Sequence, residues 1–487
     1  MHSIPNHTRG ALARATRLAG TAVAAGALAL AATACNLDKV LKVQDQDVTT
    51  LPQVTNASGL PTLYGGGLAD FQQALSGVDA SITLPGLLTD ELRDIDTFPT
   101  RIEVDKRDIH PNTNTTVQAW YRQMHRSRAS LERAINAYEQ FSPSAQNLAE
   151  LHALDGFQYV MFAEDYCNGV AYSSFDLATS KEVLGGPNTG AQSLGRALAQ
   201  FDSALAIADS GKTLWSLAKV GKARAQLDSG DYAGAAATVA RVAVDFQYMI
   251  AHSLNSSSEN NGVYINVGTP SRRYAVAEKD GTNGLAFRSE GQDSSSKTNP
   301  KHNGDARVRW YQLSRGQDGL STAYYQLKYP EYTSPVVLAD GIEAQLIIAE
   351  AKLNAGDPTW IQTLNNLRSN AALLSRPPYT PPTFPVAQPL PPLVDPGTPA
   401  AQQDLLFHER AFWLYLSGHR LGDMRRLVSQ YQRKAETVFP TGPTYQGAAG
   451  GQMGTDVNFP IPIDEQNNPN AATCTDRYAS FFGTPNP

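Results

Sequence analysis

Two five-residue stretches, Leu227-Asp228-Ser229-Gly230-Asp231 and Leu353-Asn354-Ala355-Gly356-Asp357, interrupt helix-forming sequence in the same way. Glycine tolerates the left-handed conformation that ends one helix, and the aspartate after it can cap the next. The flanking segments carry helical spacing of apolar residues. Leu214 to Leu227 precedes the first break and Tyr232 to Val244 follows it, with alanines where the two helices would cross. Ile342 to Leu353 and Trp360 to Asn370 flank the second break. The chain is expected to be mainly α, built from helical hairpins.

Other segments agree. Thr116 to Tyr138 places Trp120, Met124, Leu131, Ile135 and Tyr138 at three- and four-residue steps with charge between them. Leu148 to Tyr166 and Leu194 to Ala208 continue the pattern. The hairpins resemble tetratricopeptide-type pairs, although the breaks are too few and too far apart for a continuous solenoid. Between them, about 246–335 changes character: it is rich in Ser, Asn and Gly yet keeps Tyr264, Tyr274, Phe287, Trp310 and Tyr311. Long loops that retain aromatics are expected to be ordered and functional. Residues 377–399 hold ten of the chain's 30 prolines and predict a stiff, extended connection.

The front of the chain reads as an export signal. Arg9, Arg14 and Arg17 precede an apolar, alanine-rich stretch from Ala19 to Ala34, shorter than the roughly 20 residues that span a bilayer. A cysteine follows at once, Cys35, one of only 3. This arrangement resembles the lipobox of bacterial lipoproteins, with Ala32 where leucine is usual, and implies lipid attachment at Cys35. The expected order is a signal peptide over 1–34, a lipidated tether over 35–55 and a single helical domain over 56–487. A net charge of −6 that also loses three arginines with the signal repels phosphate backbones and argues against a nucleic-acid partner. In an exported chain the two remaining thiols, Cys167 and Cys474, are candidates for one long-range disulfide.

A family resemblance emerges at the C-terminal end. Leu405 to Leu427 (LLFHERAFWLYLSGHRLGDMRRL), then Phe439 to Gly442 and Asn458 to Asn470 (NFPIPIDEQNNPN), resemble the closing block of the RagB/SusD family of nutrient-uptake lipoproteins. The matching positions are Glu409, Arg410, Leu414, Gly418, Arg420, Asp423, Arg426, Pro460 to Pro462 and Asn468-Pro469; Trp413 and Ser417 stand where the family has glutamates. Further landmarks follow the family order: Leu154 to Gly169, Gly304 to Val308, Lys328-Tyr329-Pro330, and Pro335 to Asp340 leading into IEAQLIIAEAKL. The resemblance implies a SusD-like helical fold and a cell-surface lipoprotein of the outer membrane. It further implies a chain that holds an oligosaccharide or peptide ligand, caps a TonB-dependent (SusC-like) outer-membrane barrel, and catalyses nothing. The hairpins alone also suit a membrane-tethered helical-repeat scaffold for protein assembly.

No sequence feature carries chemistry of its own. Ala206 to Thr213 (AIADSGKT) is one residue from a phosphate-binding loop but follows a helix rather than a strand, so a helix end at Gly211 is expected. The 9 histidines show no H-E-x-x-H pairing, no metal site is expected, and no G-x-S-x-G elbow occurs. Thr89 to Asp96, rich in acids, reads as a capped helix start. The charged residues Glu409, Arg410, Arg420, Asp423, Arg425 and Arg426 read as a structural network. Sugars present flat C–H faces edged by hydroxyls, so aromatics on loops are the best candidates for ligand contact. By region these are Phe98 with Arg101 in DIDTFPTRIE, and Tyr264 and Tyr274 in the loop-rich insertion. No cofactor is expected.

Overall fold

The structure is a computed structural model and describes residues 56–143, 145–176, 181–289, 305–376, 388–445 and 450–478. The signal segment, Cys35 and the tether lie outside the described residues, as do 377–387 of the proline-rich connection. The chain divides after Thr55, and the compact unit Asn56–Pro487 holds every element named below.

Helices set the frame. They are α1 (Leu60–Ser76), α2 (Thr83–Leu88), α3 (Pro99–Asp105), α4 (Thr115–Phe141), α5 (Gln146–Asp165), α6 (Gly190–Ile207), α7 (Thr213–Asp228), α8 (Tyr232–Val239), α9 (Gly262–Asn266), α10 (Gly341–Asn354), α11 (Trp360–Ser369), α12 (Pro399–Trp413) and α13 (Arg420–Ser429). α5 is buried along nearly its whole length because apolar residues surround it on every side, the signature of a central helix. α4, α6 and α7 pack around it. α4 instead buries one stripe, Trp120, Met124, Leu131, Ile135 and Tyr138, and leaves Arg126 and Arg133 in solvent. A second core joins α10, α11 and α12 through Leu346, Trp360, Leu364, Phe407 and Trp413.

Both breaks are helix ends. Gly230 and Gly356 have φ of +80° and +71°, the region where a side chain is costly. Asp231 caps α8 by accepting the Gly234 N–H at 2.9 Å. Asp357 instead accepts the Thr359 N–H at 2.8 Å, forming the turn just before α11. Gly211, φ +76°, lies in the connection between α6 and α7, so the near match to a phosphate loop joins two helices. α8 ends at Val239 instead of Val244, because the chain must turn to place its next strand beside another.

The strands pair in twos, all antiparallel, and three of these pairs bear on the loop face and the core: β1 (Leu92–Asp94) with β3 (Tyr274–Val276), β2 (Gln247–Ile250) with β6 (Val336–Asp340), and β4 (Trp310–Arg315) with β5 (Thr322–Gln326). Thr89 to Asp96 is therefore not a helix start. It leaves α2 and enters β1 fully buried, with Asp90 taken by Arg420 at 2.8 Å and Leu92 to Asp94 paired with β3.

A C-terminal strap closes the frame. Asp456 accepts the Ile109 N–H at 2.7 Å, Phe459 exchanges backbone bonds with Asp165 and Cys167, and Asp476 takes the Asn168 N–H at 2.7 Å. Cys167 and Cys474, 307 positions apart, are joined as a disulfide with Cα atoms 5.5 Å apart. No helix among the described residues is long and apolar enough to cross a membrane.

Candidate functional site

Four segments converge beyond the C-terminal end of α1. The turn Gly77–Ala80 leaves that helix, with Asp79 at φ +55°, an uncommon conformation for a non-glycine residue. Gly262, the first residue of α9, lies so close that an added Cβ would sit 2.0 Å from the Gly77 carbonyl carbon. The segment Asp94–Phe98 enters from β1, and Arg272–Tyr274 leads into β3.

Two carboxylates tie these segments together. Asp79 accepts Nε and Nη2 of Arg101 at 3.1 and 2.6 Å through one oxygen. Its other oxygen takes Asn266 Nδ2 at 2.9 Å and the Tyr274 hydroxyl. Asp96, fully buried, accepts Arg101 Nη1 at 2.8 Å and Arg273 Nη1 at 2.7 Å. Burial works against the charge of Arg101. The neighbouring Tyr274, Asp79 and Asp96 more than offset it and raise its pKa above the ordinary arginine value.

Phe98 crowns this lattice. Its ring is 51% exposed and has the guanidinium of Arg101 at 4.7 Å and that of Arg273 at 5.2 Å. A guanidinium within about 6 Å of a ring face attracts it and holds its orientation. Tyr264 lies on α9, in the same short helix as Asn266, and its ring meets Tyr332 edge to face at 5.0 Å. Asn261 caps that helix through the Tyr264 N–H at 2.9 Å and anchors it to Ser334 at 2.7 Å. Tyr274 is different. It is 0% exposed, its hydroxyl is consumed by Asp79, and it supports Arg101 from beneath without presenting a ring to solvent. Asp79, Asn266, Arg273 and Tyr332 carried no sequence signal, and Asp96 appeared only as part of an acidic run, since the contacts that give these residues a role span up to 195 positions.

A cavity of about 260 Å³ opens on the other side of Asp79, between α1, α4 and the Ser257–Asn260 loop. A wider groove of about 530 Å³ lies between α4 and the strap. Arg122 and Arg128, two of its cations, are held by Asp464 and Glu132, each at 2.8 Å. Among the described residues, no three His, Cys, Asp or Glu side chains gather as a metal site. His419 is buried against Arg224, Ser417 and Glu343, and His408 stacks on Phe412 at 4.6 Å.

Comparison with solved structures gives the architecture its relatives. The chain is similar to a SusD-like carbohydrate binding protein from Bacteroides fragilis, at 15% identity and a TM-score of 0.61, over 86% of this chain and 99% of that one. It is similar to the protein NanU of the same organism at 14% and 0.58, over 88% and 99%. A SusD superfamily protein from Bacteroides thetaiotaomicron matches at 14% and 0.57, over 86% and 99%. This chain has the SusD-like fold. No family model and no curated protein matches the sequence.

Within the SusD-like fold, the residues of the C-terminal motif form a buried ion network. Glu409 takes Arg307 at 2.8 Å and Arg368 at 2.6 Å, Arg410 pairs with Asp423 at 2.8 Å, and Arg426 bridges Asp423, Asp228 and Glu350. Arg425 caps the end of α5 through the carbonyls of Ala163, Glu164 and Tyr166. These charges hold the SusD-like frame and leave none of their number free to act on a ligand.

Proposed function

We propose that this chain is a cell-surface nutrient-binding lipoprotein. It is anchored through Cys35, captures an oligosaccharide or peptide on its loop face, and passes it to a TonB-dependent (SusC-like) outer-membrane barrel that it caps. The observation that carries the binding reading is the half-exposed Phe98 ring, held by two guanidiniums that are themselves fixed by carboxylates. A rigid aromatic surface loses little entropy when a flat ligand face covers it. Phe98 and Tyr264 touch the ligand, while Arg101 and Tyr274 position the platform. The solved relatives described as carbohydrate binding support a glycan as the first ligand to test.

Binding without chemistry suits this site. Asp79 and Asp96, the carboxylates nearest the platform, are each committed to several donors that hold the platform in place. The lipoprotein and transporter parts rest on the export signal, on Cys35 and on the RagB/SusD-like motifs.

Two measurements test the reading. Isothermal titration of the mature protein against neutral oligosaccharides and short peptides should find a ligand whose affinity falls at least tenfold in Phe98→Ala. Binding that ignores this change would remove the platform. Affinity purification of the full-length lipidated protein from gently solubilised native membranes should recover a TonB-dependent barrel in near-equal amount. Its absence would remove the transporter role and favour the scaffold reading.

A further inference from the structure

Away from the platform, residues of α4, α5 and α6 line a cavity of about 300 Å³ that brings a histidine and a carboxylate together. His152 on α5 and Glu139 on α4 both face it, with Asn136 one helical turn before Glu139. The side chain of His152 is buried, 5% exposed, whereas that of Glu139 is 55% exposed.

The tautomer of His152 is set from behind. Its Nδ1 lies 2.6 Å from Gln200 Oε1, an oxygen that can only accept, so Nδ1 carries the proton and Nε2 keeps a lone pair. A histidine that ligates a metal almost always donates its other ring N–H in this way, which fixes the ring and raises its basicity. Nε2 faces Glu139 Oε1 at 3.7 Å. That is too long for a hydrogen bond. A tetrahedral ion roughly 2.1 Å from a nitrogen and from an oxygen holds the two atoms about 3.4 Å apart, a difference that the exposed Glu139 closes by a small rotation. The nearby Glu132 is already taken, by Arg128 and by the Tyr159 hydroxyl, each at 2.8 Å. Imidazole beside carboxylate suits zinc, nickel and copper, whereas calcium and magnesium are held by oxygen ligands. The cavity also has space for the waters of such an ion, at roughly 30 Å³ each.

We infer that His152 Nε2 and Glu139 bind one divalent transition-metal ion of the zinc class, with water from the cavity completing its coordination. Two protein ligands are fewer than the three or four of a catalytic or structural zinc, so the ion exchanges with solvent and keeps positions open to an incoming donor. Gln200 is a positioning residue, since it acts through the ring of His152. The inference stands apart from whatever ligand Phe98 takes.

The test titrates the tag-free mature chain with zinc chloride by isothermal calorimetry, with calcium and magnesium chloride as comparisons. One zinc ion per chain should bind, and neither of the other ions should compete at equal concentration. Glu139→Gln, at an exposed position, should weaken zinc at least tenfold, and His152→Gln should do the same. Gln200→Leu removes only the acceptor behind the ring and should also cost about tenfold, as outer-shell partners do. A glutamine that merely packs there would leave zinc affinity unchanged. His110 is the control, because its Nδ1 lies 3.4 Å from Glu103 on the surface. His110→Gln should keep the wild-type affinity. The site is overturned if no stoichiometric zinc binds, if calcium binds as tightly, or if His110→Gln loses the ion while Glu139→Gln keeps it. Should His152→Gln not fold, the exposed Glu139→Gln decides alone.

Discussion

Removing the guanidinium of Arg101 would leave Asp79 with Asn266 and Tyr274 but no cation, and the buried Asp96 with Arg273 and the Thr97 N–H. Breaking one partner out of a buried ionic lattice costs about 3 kcal/mol, because a carboxylate remains in low dielectric without its cation. Arg101→Ala should therefore lower the unfolding free energy by about that amount in urea. Arg101→Lys should recover only part of it, since one ammonium cannot reach both carboxylates as the planar fork does. Phe98→Ala makes the opposite contrast: its exposed ring should cost less than about 0.5 kcal/mol of stability while ligand affinity falls. A stability loss in Phe98→Ala as large as that of Arg101→Ala would mean that the ring is a packing residue. The sequence named Phe98 and Arg101 because they stand together in one loop. It could not separate Tyr264, on the surface, from Tyr274, beneath it, because only a partner 195 positions away consumes the second hydroxyl.

At the scale of elements, hairpins were the legible part, since a glycine-aspartate break acts through neighbours only a few residues off. The acidic run at Thr89 to Asp96 was not legible. Clustered acids resemble a helix start locally, but here they meet distant arginines, with Asp90 on Arg420 and Asp96 on Arg273 as well as on the nearby Arg101. The loop face depends on one close approach of this long-range kind. Gly262→Ala would press a methyl into the Gly77 backbone, which cannot rotate aside, so α9 must shift and carry Asn266 and Tyr264 away from Asp79. Ligand affinity should drop about tenfold, with a stability loss of about 1–3 kcal/mol, the usual range for overpacking. Affinity equal to wild type would show that α9 has no part in the site. The strap offers a second test. Crosslinking 307 positions restricts the unfolded chain, and losing such a bond typically costs about 2–5 kcal/mol. Cys167→Ser with Cys474→Ser should show that loss in denaturant, and added reductant should change the wild type but not the double variant.

For the whole molecule, the buried charges fix how stability follows pH. They fall into two sets with opposite signs. Burial opposes ionisation of Asp423 and Glu164, but Arg410 and Arg426 around the first and Arg224 beside the second hold both carboxyls below their usual range. Their contribution is present above the ordinary carboxylate pKa of about 4 and is lost as pH falls below it. The second set is raised. Burial pushes Glu91 up to about 8, against the opposing Leu416 N–H and Arg420, and pushes Asp280 up to about 7 against Arg93. The folded chain keeps these protons between about pH 4 and pH 7 or 8, whereas the unfolded chain has released them. Through these carboxyls the folded state binds more protons there, so their contribution falls as pH rises through that window. Burial lowers His125 and His252, which act with the opposite sign below the ordinary imidazole pKa of about 6.5, but the raised carboxyls, with Asp94, Asp105, Asp155 and Asp165 among them, outnumber these imidazoles. Lys328, which burial pushes down to about 8, reverses the trend only at higher pH, where the unfolded chain still holds its proton. The melting temperature should therefore decline from pH 5 to pH 8. Glu91→Gln copies the protonated carboxyl in shape and can still accept the Leu416 N–H that Glu91 takes at 3.0 Å. The variant should match wild type at pH 5, decline less steeply, and be the more stable protein at pH 8. Parallel curves for the two proteins would mean that Glu91 is not a source of the decline, and would assign it to Asp280 and the other buried acids.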